Sequence, residues 1–337
     1  MISSPPAGTG LDAATAQLLA GSLREVLTTS LDGPGLGCAL EELGWDEVLA
    51  DDRAAATTLL FVEHGRALAA SRVLDDVLLA ELAPSLAAPA AGTRVPFYPL
   101  GTAAPVTPGA PLAGLLLGGL DDVTEVVVPV ALDGRVELAL VPAGLVTPVA
   151  RPAGGFDPAS RWLLVEGVVD GLTEHTLPDG GAWGRAVAAG RRALTAEIIG
   201  VCAAALAIAV EHTSARVQYG RQIATFQAVR HRLSEAHVAT ESARSVLAVA
   251  WAALDHPDGG VGAARLAKLR AGWAQGEVMR HVLQVCGAMG LSLEHQLHRH
   301  VSRAAALDAL LGGHRALTAQ LGADLLAGAD FDPIVEI

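Results

Sequence analysis

Residues 216–236 read RVQYGRQIATFQAVRHRLSEA, and the pattern of this stretch decides the fold of the chain. Ile223, Phe226, Val229 and Leu233 recur at three- and four-residue intervals, the period of a helix that buries one face in a bundle. Ahead of that run stand Arg216, Gln218, Tyr219 and Gly220, and Gln227 sits inside it. Two readings are open. Arg216 and Gln218 are a solvated helix corner with Gln227 a satisfied core amide, or the three form a polar edge that meets a ligand, because a Gln set among apolar residues requires partners.

Outward from this stretch the chain is helical on both sides. FQAVRHRLSEAHVATESARSVLAVAWAALD continues to HPDGG, which supplies a Pro and a Gly stop. VGAARLAKLRAGWAQGEVMRHVLQVCGAMG follows, then LHRHVSRAAALDALLGGHRALTAQLGADLLA, interrupted at Gly312-Gly313. Upstream, AWGRAVAAGRRALTAEIIGVCAAALAIAVEHTSAR is small or apolar on most faces, the composition of a helix buried inside a bundle. The first third, including LDAATAQLLAGSLREVL and TTLLFVEHGRALAASRVLDDVLLAELA, has the same helical spacing. Between these halves lie seven prolines from Pro84 to Pro111, then β-branched or alternating segments: DDVTEVVVPVAL, GRVELALVPA and SRWLLVEGVV. The expected organisation is mainly α with a small β domain: an N-terminal helical domain with a Pro-rich exit over 1–110, a reduced β-sheet or barrel over 111–180, and a C-terminal helical bundle over 181–337.

Composition excludes several classes of function. The chain has 337 residues, 51% of them hydrophobic, enough for two or three packed units. Lys and Arg number 23 against 36 Asp and Glu, and a net charge of -13 opposes a nucleic-acid partner. No unbroken apolar run approaches the ~18 residues of a membrane span, and MISSPPAGTG lacks the basic and apolar regions of a secretory signal, so a cytoplasmic location with no membrane partner is expected. Cys38, Cys202 and Cys286 lie far apart without CxxC or Cys/His ligand spacing; reduced, buried thiols and no metal site are expected.

The order of helices, strands and helices, together with three local patterns, resembles the acyl-CoA dehydrogenase family. RVQYGRQIATFQAV is similar to the family's R-x-x-F-G-x-x-I-x-x-F-Q. QVCGAMGLSLEHQLHRHVSRA resembles its Q-x-x-G-G segment and the R-x-x-R-D-A helix after it, with Ala288 where a second Gly is usual. ELGW (Glu42 to Trp45) and FVEHGRALAASRVLDDVLLA are weaker matches in the first third. The resemblance implies the acyl-CoA dehydrogenase fold and FAD as cofactor. It further implies that Arg216, Gln218, Tyr219, Phe226 and Gln227, with Gln284, Val285, Cys286, Gly287 and Ala288, face the adenosine and pyrophosphate half of an FAD that belongs mainly to a neighbouring subunit. Arg offers a fixed fork of donors to a pyrophosphate, and glycine allows close backbone approach.

Against that family pattern the chain departs where chemistry is done. The family's catalytic Glu stands at one of two places, matched by counting to Gly312 in Leu311-Gly312-Gly313 and to Gly190 in Gly190-Arg191. No catalytic residue is therefore assigned. Glu197 lies on the same helix face as Gly190 but roughly 10 Å farther along, and reads better as a carboxylate paired with Arg191 or Arg192. His295, His298, His300 and His314 gather near the same region in sequence, with no orienting carboxylate assignable. The family's flavin-covering T-E-x-x-x-G-S-D turn is replaced by YPLGTAAPVTPGAPLAGLL, and its P-E-x-x-G-G loop by LADDRAAATT.

These gains and losses resemble the smaller, base-lacking subunits of actinobacterial heterotetrameric acyl-CoA dehydrogenases of the steroid side-chain type. The resemblance implies an oxidoreductase subunit that shares FAD with a second, base-containing subunit in an α2β2 heterotetramer. It also implies an acyl-CoA substrate and electron-transferring flavoprotein or a similar acceptor. The alternatives are a flavin-free family member acting only in assembly, and a self-sufficient flavoenzyme with an atypical base such as His314.

Overall fold

The computed structural model describes residues 11–29, 34–87, 92–154, 157, 160–173, 176–256 and 258–329. MISSPPAGTG, and the reading of it as lacking a signal, lie outside the described residues.

Five helices come first: α1 (Ala13–Thr29), α2 (Pro34–Glu42), α3 (Trp45–Asp51), α4 (Arg53–Ala67) and α5 (Val73–Leu82). Their starts follow capping chemistry. Asp12 accepts the Ala14 and Thr15 N–H groups at 2.9 Å, and Asp52 accepts the Ala55 N–H at 2.9 Å. Cys38, expected to be buried, is exposed on α2.

Next, among the described residues, come eight strands in two sheets. β1 (Thr93–Pro96), β4 (Val123–Leu132), β5 (Arg135–Pro142) and β8 (Thr176–Pro178) form one, in the order β1-β4-β5-β8. β2 (Tyr98–Pro99), β3 (Leu112–Leu116), β6 (Ala150–Pro152) and β7 (Leu163–Gly167) form the other, in the order β2-β3-β7-β6, with the short helix α6 (Ala143–Val146) between β5 and β6. Strand alternation divides the side chains between two cores. Val126, Val128 and Val130 join Leu112, Leu116 and Val165 in a core shared by the sheets, whereas Val127, Leu115 and Leu138 join the helical core. The strands begin at Thr93, inside the Pro-rich stretch that the sequence assigns to the exit of the first unit. β1 and β2 are edge strands, where the missing N–H of proline is tolerated.

The last part is α7 (Ala182–Ala215), a hairpin of β9 (Val217–Gln218) and β10 (Arg221–Gln222), then α8 (Gln227–Ala252), α9 (Val261–Cys286), α10 (Leu297–Ala309) and α11 (His314–Leu326). The 34-residue α7 is long and apolar enough to cross a membrane by length and composition, but its apolar window is 67% buried within the fold. It is the central helix. It lies against α4 so closely that a methyl added at Gly65 would stand 2.1 Å from the Glu197 carbonyl oxygen, and one at Gly200 2.1 Å from that of Val62. Only glycine at both positions allows this backbone contact.

Candidate functional site

The up-and-down bundle has two ends. At 1.5 Å per residue, Gly190 and Arg216 stand roughly 39 Å apart along α7. Helices α7 and α9 finish at one end, where His212 and Cys286 approach each other, so the RVQYG and QVCGA segments share a surface. The other end brings together Gly190, Lys268 and Gly312.

At the first end the backbone dictates the shape. Tyr219 (φ 51) and Gly220 (φ 76) form the two-residue turn of the β9–β10 hairpin, both with positive φ as a type I′ turn requires. A Tyr in this conformation is unusual, and this one is 93% exposed. Its ring meets Phe226 edge-on at 6.3 Å, and the Arg221 guanidinium lies 4.2 Å over the other ring. The Ile223 N–H donates to the Arg216 carbonyl at 2.9 Å and fixes the corner. Arg216, Gln218, Gln227 and Gln284 are all exposed, and their side chains make no hydrogen bond among the described residues. Gln227 thus departs from the expectation of a buried amide: it is the first residue of α8, turned outward before the apolar face begins. Gly287 (φ 64, ψ -151) occupies backbone space open essentially to glycine, and it and Ala288 are exposed. Val285 and Cys286, expected to face the cofactor, instead pack into the helical core, because they fall on the inward face of α9.

At the opposite end the two counted base positions prove to be neighbours. A methyl at Gly190 would stand 2.5 Å from Leu311 Cδ1 and 2.7 Å from Leu78 Cδ1. One at Gly312 would meet Leu317 Cδ2 at 2.7 Å. Leucines occupy the space that a base would need. The cations here are tied to carbonyls, and Lys268 also lies 3.6 Å from the Asp308 carboxylate. Arg191 donates to the Leu311 carbonyl at 2.9 Å and to that of Thr102 at 3.2 Å, and Lys268 to those of Asp308 at 2.9 Å and Gly312 at 3.1 Å. Burial lowers the pKa of Arg191 to about 10 and of Lys268 to about 8. The loop that replaces the flavin-covering turn folds down onto α7, where Trp183 donates to the Ala103 carbonyl at 3.1 Å. It walls a cavity of about 800 Å³ lined also by Val187, Arg191, Leu266 and Gln320.

Glu197 and the histidines depart from their expected partners. Glu197 pairs with His64 at 3.0 Å and Arg303 at 3.6 Å rather than with Arg191 or Arg192, because it faces α4 at the glycine crossing. His64 continues to Ser71 Oγ at 2.8 Å, and Arg303 binds Asp157 and the Ala69 carbonyl. This buried polar chain ties α4, α7 and α10 together; no local spacing points to it, since its members lie far apart in the chain. His295, His298 and His300 stand at the start of α10, whereas His314 stands beyond its far end. His314 does have an orienting carboxylate, Asp308 at 2.6 Å, detectable only as an Asp and a His flanking the Gly312-Gly313 turn. Its ring lies against Trp273 at 5.0 Å.

A two-sheet domain between a short helical unit and an up-and-down bundle, with an exposed Arg and amides beside a tight hairpin, defines the architecture of acyl-CoA dehydrogenases. Residues 182–326 match the family model "Acyl-CoA dehydrogenase, C-terminal domain". The bundle is thus similar to the C-terminal domain of that family, and the chain as a whole carries the acyl-CoA dehydrogenase fold. A chain of the Tcur3481-Tcur3483 steroid ACAD G363A variant superposes with a TM-score of 0.75 at 21% identity, covering 94% of this chain and 99% of that one. A chain of the ChsE4-ChsE5 complex from Mycobacterium tuberculosis gives 0.71 at 20%, covering 95% and 99%. In sequence, the acyl-CoA dehydrogenase IpdE2 of Mycobacterium tuberculosis is 30% identical over 176 residues, 52% of each chain. The chain therefore spans about half the length of the curated relatives it matches.

Proposed function

We propose that this chain is the non-catalytic subunit of a heteromeric, FAD-dependent acyl-CoA dehydrogenase. It presents the adenosine and pyrophosphate contacts to a cofactor held mainly by a base-containing partner chain. The observation that carries the reading is the contrast between the ends. Donors at the hairpin end are exposed and make no hydrogen bond among the described residues, while the base end has glycines where carboxylates belong and leucines packed against them. Val217, Tyr219, Leu291 and Leu293 leave a broad apolar rim around the donors, of the kind a partner surface covers.

The residues present fit the ADP half of FAD. Arg216 suits a pyrophosphate through its planar fork of donors, and Gln218, Gln227 and Gln284 supply amides for its polar edges. Gly287 lets the main chain approach. When bound, FAD supplies a hydride acceptor for α,β-dehydrogenation of a CoA thioester. This chain contributes orientation and charge to that cofactor, and the partner contributes the carboxylate that takes the α-proton. Two solved relatives are named as a steroid ACAD and as a ChsE4-ChsE5 complex, which favours a steroid side-chain thioester as substrate and an α2β2 assembly. Electron-transferring flavoprotein is the proposed acceptor and the cytoplasm the proposed location.

The self-sufficient alternative calls for an atypical base such as His314. Asp308 orients that ring, but the ring packs on Trp273 and does not line the cavity at the base end. Expression of the chain alone and together with a base-containing family chain tests the proposal. A flavin absorbance band is expected only from the pair, and a stoichiometric band from this chain alone would overturn it.

A further inference from the structure

Three segments distant in sequence converge at the hairpin end and bring a thiol and two imidazoles together. His212 comes from the last turn of α7, Cys286 from the last residue of α9, and His295 from the loop that enters α10. One ligand atom from each lies within 4.8 Å of the other two. His212 Nε2 is buried and has no hydrogen-bond partner among the described residues, an arrangement that native proteins seldom leave unexplained. The Cys286 thiol is buried beside it, and the rings of His212 and His295 meet edge-on with centroids 5.8 Å apart. His295 Nδ1 accepts the Leu297 N–H at 3.2 Å, and coordination through either ring nitrogen would exchange that hydrogen bond for the ion.

We propose that His212, Cys286 and His295 form a binding site for a thiophilic divalent cation of the zinc class. One thiolate and two imidazoles select zinc over the hard cations magnesium and calcium, and three protein ligands leave a fourth tetrahedral position for water. Nitrogen and sulfur ligands at about 2.0 and 2.3 Å from zinc lie roughly 3.5 Å apart, so closure needs His295 to move inward by roughly 1 Å. Its loop allows this: Leu293 and Glu294 beside it are exposed. The proton balance is simple. The cation replaces the thiol proton, which leaves to solvent, and no electron is transferred. Sequence spacing does not reveal the site because each ligand comes from a different element. Bound metal would pin together the ends that carry Arg216, one turn after His212, and Gln284, two residues before Cys286.

Cobalt(II) is the probe, added to the purified, metal-free and reduced chain. A sulfur-to-cobalt charge-transfer band with the strong visible absorption of a four-coordinate ion is expected at one ion per chain, displaced by zinc. Cys286→Ser should remove the charge-transfer band, and His295→Gln should weaken affinity about tenfold or more. Cys38→Ser, on exposed α2, should leave both unchanged. Zinc should also raise the unfolding temperature of the parent chain and not that of His295→Gln, which keeps the test valid should Cys286→Ser fail to fold. Absence of a charge-transfer band, its persistence in a folded Cys286→Ser variant, or its loss in Cys38→Ser would overturn the proposal. The readout involves no flavin, so it stands or falls separately from the subunit reading.

Discussion

At Gly312 a single backbone angle shapes what can be engineered. With φ at 105° and Leu317 in the path of any Cβ, Gly312→Glu should lower stability by about 1–3 kcal/mol and confer no dehydrogenase activity. Thermal unfolding and turnover of the assembled enzyme check both parts, and new activity would restore a substrate site to this chain. Arg216 is the opposite case, an exposed side chain without a hydrogen bond among the described residues and proposed to meet a cofactor. Arg216→Ala should lower flavin affinity of the complex about ten- to a hundredfold, and Arg216→Lys less, since a point charge keeps attraction without the fork. Flavin retained per complex after dialysis measures this. Asp75 provides a pH test: burial pushes its carboxyl up to about 7 from 3.8, while the Tyr98 O–H donating at 2.7 Å and the charge of Arg72 oppose the rise. A raised folded pKa means that its stabilisation is fully present below about pH 4 and is lost as pH rises through about 7. Asp75→Asn should therefore gain on the parent chain between those values, as denaturant unfolding at about pH 4 and about pH 8 would reveal. Much of this was legible in the sequence, since counting from Arg216 and Arg303 reached two glycines that prove to be spatial neighbours. Side-chain direction was not: Gln227 sits on the helical apolar period yet faces outward because it opens its helix, and Asp308 joins His314 only because a turn folds back.

Among the elements, the crossing of α4 and α7 rests on Gly65 and Gly200, each set against the other helix's carbonyl oxygens. Gly200→Ala or Gly65→Ala should push the helices apart and destabilise the fold by about 1–3 kcal/mol. The double variant should lose less than the sum, because one displacement relieves both clashes. Denaturant titration of the three variants gives the coupling directly. The long helices were readable because their apolar period persists over many turns, and α9 closes on Gly287. β1 and β2 were not, because short edge strands carry little alternation and their prolines resemble punctuation. The Glu197, His64 and Arg303 chain was also hidden, since pairing across helices depends on the angle at which they cross, and local spacing carries no record of that angle.

For the whole molecule, the subunit reading predicts that mutation of the partner's catalytic Glu to Gln abolishes turnover of the complex while flavin stays bound. Residual activity at the parental rate would place a working base in this chain. The two-ended arrangement also constrains how such a chain can change over time. Helix α7 runs unbroken from the filled base end to the exposed donors, so inserting one residue between Gly190 and Arg216 would swing Arg216 by about 100° and shift it by about 1.5 Å. Substitutions at exposed positions of α7 act locally, but a change in length would carry Arg216, Gln218 and Gln227 out of register with Gln284 on α9 and with the proposed partner. The helix acts as a ruler, and its count of residues sets the distance between the two ends of the bundle.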